Sequence, residues 1–175
     1  MGRRKISIKE LLIRYLILII VAISGLSLFY FIFSPLTIYP VYFMLGLFYK
    51  VTLEGSSILI KDMSIDLIGP CIAGSAYSLL LVLNLATPKI RIGERTKILA
   101  LSFLILLVLN IVRIFILSIL ATESMFYFNL LHMLFWYILS IVFVLAIWFF
   151  MVNKFGIKKI PFYSDIKTLH KLTKK

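Results

Sequence analysis

Residues 98–121, ILALSFLILLVLNIVRIFILSILA, run for 24 positions with one charge, Arg113. As a helix at 1.5 Å per residue this segment reaches about 36 Å, more than the roughly 30 Å of a bilayer's hydrocarbon layer. A chain of 175 residues that is 62% hydrophobic has too little polar surface to hide several such runs from water. Soluble domains hold about 45–50% apolar residues. Lipid is therefore the expected solvent, and the sequence predicts an all-α membrane protein of one domain.

Three further runs meet the length requirement: 15–33, 71–87 (the shortest) and 126–152. With 98–121 they predict a bundle of about four transmembrane helices. A fifth apolar stretch, LTIYPVYFMLGLFY at 36–49, is short and carries Pro40 and Gly46; it reads as an interfacial or re-entrant piece. The first run is longer than a signal-peptide core and no A-x-A site follows it, so a signal anchor is expected. MGRRKI lacks Ser or Thr at position 6, and the myristoylation pattern fails.

The net charge of +12 is sorted by segment. Arg3, Arg4, Lys5, Lys9 and Arg14 precede the first span, and Lys89, Arg91, Arg95 and Lys97 separate the second from the third. Lys154, Lys158, Lys159, Lys167, Lys171, Lys174 and Lys175 follow the fourth. The other side holds only Lys50 and Lys61, beside Glu54, Asp62, Asp66 and Glu123. The positive-inside rule then places both termini in the cytoplasm of a multi-pass cell-membrane protein. No basic–aromatic platform accompanies the charge, so nucleic acid is not an expected partner. The lysine-rich tail 153–175 is expected to lie on anionic lipid headgroups.

Segment 50–70, KVTLEGSSILIKDMSIDLIGP, has a different texture. SILIK and SIDLI alternate around DM, which predicts a short extracytoplasmic β-hairpin before the second helix. It leads directly into Cys71, the single cysteine, which excludes an intrachain disulfide and a Cys-rich zinc site. No cofactor and no metal are expected.

Two ionisable residues fall well inside predicted spans, Arg113 and His132. Such groups are costly in lipid and are functional candidates by default. Cys71 lies sixteen residues from Thr87 at the inner end of its span, and Arg113 lies sixteen from Lys97. Both thus stand roughly 24 Å above the inner boundary. His132 is six residues into the last span, roughly 9 Å from its outer end. All three reach one layer. Taken singly, a cysteine fills space, a histidine packs and an arginine finds carbonyls; their common depth favours a site.

The chemistry of the three is coherent. Pro70 suits a first helical position, which puts Cys71 in the first turn, where free N–H groups and the helix dipole favour a thiolate. Arg113 is charged at any working pH and suits a thiolate or a developing oxyanion. His132 can exchange a proton near neutrality. Asn110 and Asn129 lie one turn from Arg113 and His132 and are supporting candidates. Gly74, Ala73 and Ser75 read as small packing residues.

Cys71 behind an outer hairpin, N-x-x-R as NIVR (Asn110, Arg113) and a histidine in the last helix (His132) resemble the exosortase/archaeosortase family of membrane cysteine transpeptidases. The resemblance runs over about residues 50–140 and fits a small archaeosortase-like member. In the commonest pattern of that family Ser-Gly or Ala-Gly follows the cysteine directly; here Ile72 intervenes. The resemblance implies Cys71 as nucleophile with Arg113 and His132 as partners, facing the exterior. It implies membrane-anchored protein substrates whose C-terminal sorting signal is cut, the new C-terminus passing to a lipid or other amine acceptor. Two other readings stand beside it. One is a non-enzymatic membrane subunit or assembly factor whose polar residues join helices. The other is a small transporter with Arg113 as an anion site, which the almost purely apolar inner halves of the last two spans disfavour.

Overall fold

The structure, a computed structural model, describes residues 8–61, 63–87, 90–135 and 140–157. The basic residues before position 8 and from 158 onward, with Asp62 and Lys89, lie outside them. The described residues form a mostly helical molecule with one three-stranded antiparallel sheet. In chain order the elements are α1 (Ile8–Gly46), β1 (Val51–Glu54), β2 (Ser57–Ile60), β3 (Met63–Asp66) and α2 (Gly69–Ile72). Then follow α3 (Gly74–Ala86), α4 (Ile92–Glu123), α5 (Met125–Leu134) and α6 (Ser140–Lys154). Among the described residues two stretches are long and apolar enough to cross a membrane, Leu26–Gly46 and Ile92–Glu123.

The expectation of a separate re-entrant piece at 36–49 is corrected. α1 runs unbroken through Pro35 and Pro40 for 39 residues, about 58 Å. Each proline removes a helical hydrogen bond and ordinarily breaks a helix. Here packing prevails: Thr37, Ile38, Val41 and Leu45 recur at helical spacing and are all buried. They belong to the same stripe as Phe29 and Phe33. Phe33 stacks on Tyr77 of α3 with ring centroids 3.7 Å apart, and Phe103 of α4 meets both rings edge-on. This aromatic cluster joins α1, α3 and α4 into the core.

The span expected at 71–87 is a helix with a break near its start. Ala73 takes a left-handed conformation (φ 61°, ψ 33°) between α2 and α3. Gly74, the next residue, lies against the Tyr30 ring, and a Cβ there would sit 2.6 Å from a ring carbon. The chain turns where α1 approaches too closely for a side chain. The run expected at 126–152 is likewise divided, into α5 and α6.

At the other end of α3, Arg95 folds back from the first turn of α4. Its Nη1 donates to the Asn84 carbonyl and its Nη2 to the Thr87 carbonyl at 2.9 Å. Two carbonyls left over at a helix C-terminus are thereby satisfied.

The predicted hairpin is present and has one strand more. β2 and β3 pair with Ile60 opposite Met63, and β1 adds to the far side of β2 through a turn at Gly55 (φ 63°). Ile58 and Ile60 point into the helices and are fully buried. The sheet sits where α1 and α4 end and α2 begins. Tyr49 Oη donates to Glu123 Oε1 at 3.4 Å, and Lys61 Nζ lies 3.8 Å from the same oxygen.

Candidate functional site

Beneath β3 lies a cavity of about 270 Å³. One wall is β3 and the turn after it, Met63 to Leu67, continuing to Pro70 and Cys71. The opposite wall is α4, with Arg113, Ile114, Leu117, Ser118 and Ala121. α5 closes the third side with Met125, Phe128, His132 and Phe135. Cys71, Arg113 and His132, placed at a common depth by the sequence, thus come from three helices to line one space.

The local chain explains each placement. Gly69 and Pro70 open α2, and the Cys71 N–H bonds the Ile68 carbonyl at 2.8 Å. α2 is a single turn of four residues and ends at the Ala73 break. The expected activation of Cys71 by the dipole of a long helix is therefore corrected: the dipole of α3 begins beyond the break, three residues later. What α2 leaves behind is a free carbonyl at Cys71, and α4 takes it. Asn110 Nδ2 donates to this carbonyl at 2.8 Å and Arg113 Nη2 at 3.4 Å.

Asn110 is buried at 4% exposure, so its amide would be costly without this bond. The N-x-x-R spacing puts both donors on one face, one turn apart. Arg113 Nη1 donates to Ser140 Oγ at 3.4 Å, and Ser140 in turn donates to the Phe135 carbonyl at 2.7 Å. The guanidinium therefore joins α2 to the junction between α5 and α6. Its buried Nε–H has no hydrogen-bond partner among the described residues, so a donor is left unspent there.

His132 stacks obliquely on Phe128 with centroids 5.3 Å apart, and both rings face the cavity. Phe128 and His132 are one helical turn apart. Asn129 is one residue, about 100°, around the helix from Phe128. It is exposed, and it does not line the cavity. The supporting role expected for Asn129 is thus not met by its position, whereas Asn110 does contact the Cys71 segment.

No protein-family model, curated protein or solved structure matches this chain. The residues themselves carry the case.

Two of them escaped the sequence reading. Ser118 is 2% exposed and lines the cavity, and its hydroxyl has no hydrogen-bond partner among the described residues. It continues the buried four-residue ladder Ile98, Ser102, Leu106, Asn110, Ile114 of α4. That periodicity marks it in the sequence, although a serine carries no charge to single it out within a span. Asp66 lies at the rim. Hydrogen bonds from the Ser57 hydroxyl and then the Ser64 hydroxyl (3.1 Å) hold its carboxyl below the ordinary value. Among the described residues no group of His, Cys, Asp or Glu is arranged to hold a metal ion.

Proposed function

We propose that this chain is a four-span membrane cysteine transpeptidase or peptidase of the exosortase/archaeosortase kind. In this reading the sheet and cavity face the cell exterior and both termini are cytoplasmic. Two spans correspond to the long apolar helices; α2 with α3, and α5 with α6, supply the others. The observation that carries the reading is the convergence of Cys71, Arg113 and His132 on one cavity. Exposed apolar side chains such as Phe31, Phe43, Phe126 and Phe149 support a lipid surround.

The reaction follows from the groups present. The Cys71 thiolate attacks the scissile carbonyl carbon, forming a C–S bond and a tetrahedral oxyanion. The Arg113 guanidinium, already anchored at the Cys71 carbonyl, offers its unspent donor and its charge to that oxyanion. Collapse breaks the C–N bond, and the leaving amine takes a proton from His132. The thioester then yields its acyl group to an amine acceptor or to water, whose proton returns to His132, and the thiolate is regenerated. The substrates in this reading are membrane-anchored proteins with a C-terminal sorting signal, and the acceptor is a lipid or other amine.

The test co-expresses the chain with tagged proteins of the same genome that end in a short motif, an apolar helix and a basic tail. A truncated C-terminus with wild type, and full-length substrate with Cys71→Ala, is the expected result. Unchanged processing by Cys71→Ala would overturn the cysteine mechanism.

A second reading has its own observation. Both terminal nitrogens of Arg113 make structural bonds, to the Cys71 carbonyl and to Ser140. A non-enzymatic membrane subunit or assembly factor would need no more than this from its polar residues. Activity of the Arg113 and His132 variants decides between the two.

A further inference from the structure

The cavity is walled by β3 over that strand's whole length, and no residue of β1 or β2 lines it. β3 is an edge strand, and its phase in the ladder is fixed. The Leu67 N–H bonds the Ser56 carbonyl at 3.1 Å, continuing the register Ile58↔Ile65 and Ile60↔Met63. In an antiparallel ladder bonded and non-bonded pairs alternate. The bonded pairs are therefore those of Leu67, Ile65 and Met63, and the backbone groups of Ser64 and Asp66 point away from β2. The Asp66 carbonyl accepts from the Ile68 N–H at 3.1 Å. The Ser64 N–H, the Ser64 carbonyl and the Asp66 N–H have no backbone partner among the described residues. Across the cavity the orphaned Ser118 hydroxyl faces the same space.

We infer that this edge is a docking rail: an extended peptide adds to β3 as a fourth strand and is led along it to Cys71. The inference rests on the thiol reading above and names how the substrate is held. A peptide entering an apolar cavity must keep its backbone groups bonded, because an unmade bond costs more than a made one gains. β-strand addition meets that demand with main-chain groups and tolerates many side chains. The rail offers two donors and an acceptor on one side, and Ser118 offers a hydroxyl on the other. Cys71 lies five residues beyond Asp66, at the end of the track.

The test uses the full chain in detergent micelles, where its single cysteine makes labelling unambiguous. Acetyl-tetraalanine chloromethyl ketone alkylates the thiolate, the C–S bond forming as chloride leaves. Its rate is compared with that of the same peptide methylated at its amide nitrogens, and with iodoacetamide. The expected result is labelling about tenfold faster for the unmethylated peptide, since each lost bond weakens docking severalfold. Ser64→Ala keeps this advantage because the rail is backbone. Ser64→Pro removes the outward N–H at an edge position where proline is tolerated; it should lose the advantage while iodoacetamide reacts as before. Equal rates for the two peptides on wild type overturn the rail, whatever the proline variant does, and leave the thiol reading standing. Failure of iodoacetamide to reach Cys71 overturns both.

Discussion

Asn110 and Arg113 hold the main-chain carbonyl of Cys71 and not its sulfur, so the thiol can be removed with the surrounding bonds intact. Cys71→Ala should therefore leave the thermal midpoint unchanged and abolish substrate processing. Cys71→Ser should be nearly as inactive, since a hydroxyl's pKa lies far above that of a thiol. In the transpeptidase reading Arg113 acts through geometry as well as charge. Arg113→Lys keeps the charge and loses the planar fork that reaches Cys71 and Ser140 together, and most activity should go with it. In the transpeptidase reading His132 moves a proton, so His132→Gln should cost roughly 10²–10⁴-fold in processing rate. Normal cleavage by both variants, at matched expression, would favour the non-enzymatic reading. Asp66 supplies a pH test. Its carboxylate is favoured in the fold by the hydroxyls of Ser57 and Ser64, so its stabilising effect is present above the unfolded value of about 3.9 and fades as pH falls through the lower folded value. Wild type should melt above Asp66→Asn at neutral pH, and the gap should close below about pH 4.

The break between α2 and α3 is the element on which the site turns, because it leaves the Cys71 carbonyl for α4 to bind. Ala73 occupies a left-handed conformation that costs an L-residue about 1–2 kcal/mol. Ala73→Gly should thus be neutral or mildly stabilising in thermal melts, while Ala73→Val, β-branched, should be clearly destabilising. Gly74→Ala would push a methyl to 2.6 Å from the Tyr30 ring and should cost about 1–3 kcal/mol. Tyr30→Leu should recover part of that loss in a double-mutant cycle, since the clash is with ring carbons. Little of this element was legible in the sequence. CIAGSAY announces small residues after a helix start, but the need for glycine at position 74 depends on how closely Tyr30 approaches from 44 residues upstream. The common level of Cys71 and Arg113 was legible, because rise per residue and basic end-points measure depth without knowledge of packing. The continuity of α1 was not: Pro35 and Pro40 are local stop signals, and the burial of Val41 and Leu45 that overrides them is tertiary. β1 was missed because its partner face on β2 reads the same whether one strand or two flank it.

Across the whole molecule the sheet gathers three helix ends, those of α1, α4 and α2, at one pole. Glu123, at the end of α4, takes both the Tyr49 hydroxyl and the Lys61 ammonium there. Both charges of the ion pair are well exposed, so it registers the sheet more than it stabilises it. Arg91, Arg95 and Lys97 mark the opposite pole, at the start of α4, and Arg95 is partly consumed in capping α3. The charge difference between the poles is what the positive-inside rule acts on, and it predicts the sheet pole outside. Gly55 is the natural position for a reporter at that pole: it is the tip of the β1–β2 turn, with open space around its Cα. A reporter inserted at Gly55 should read as external. Reporters inserted at Ile90 or fused after Ile157 should read as cytoplasmic, since Arg91, Arg95 and Lys97 flank the first position and Lys154 the second. The Gly55 reading decides more than topology. Cys71 lies on the sheet side of the break, so a cytoplasmic signal at Gly55 would place the thiol away from any secreted substrate. The transpeptidase mechanism would then fail, although every hydrogen bond of the site remained as described.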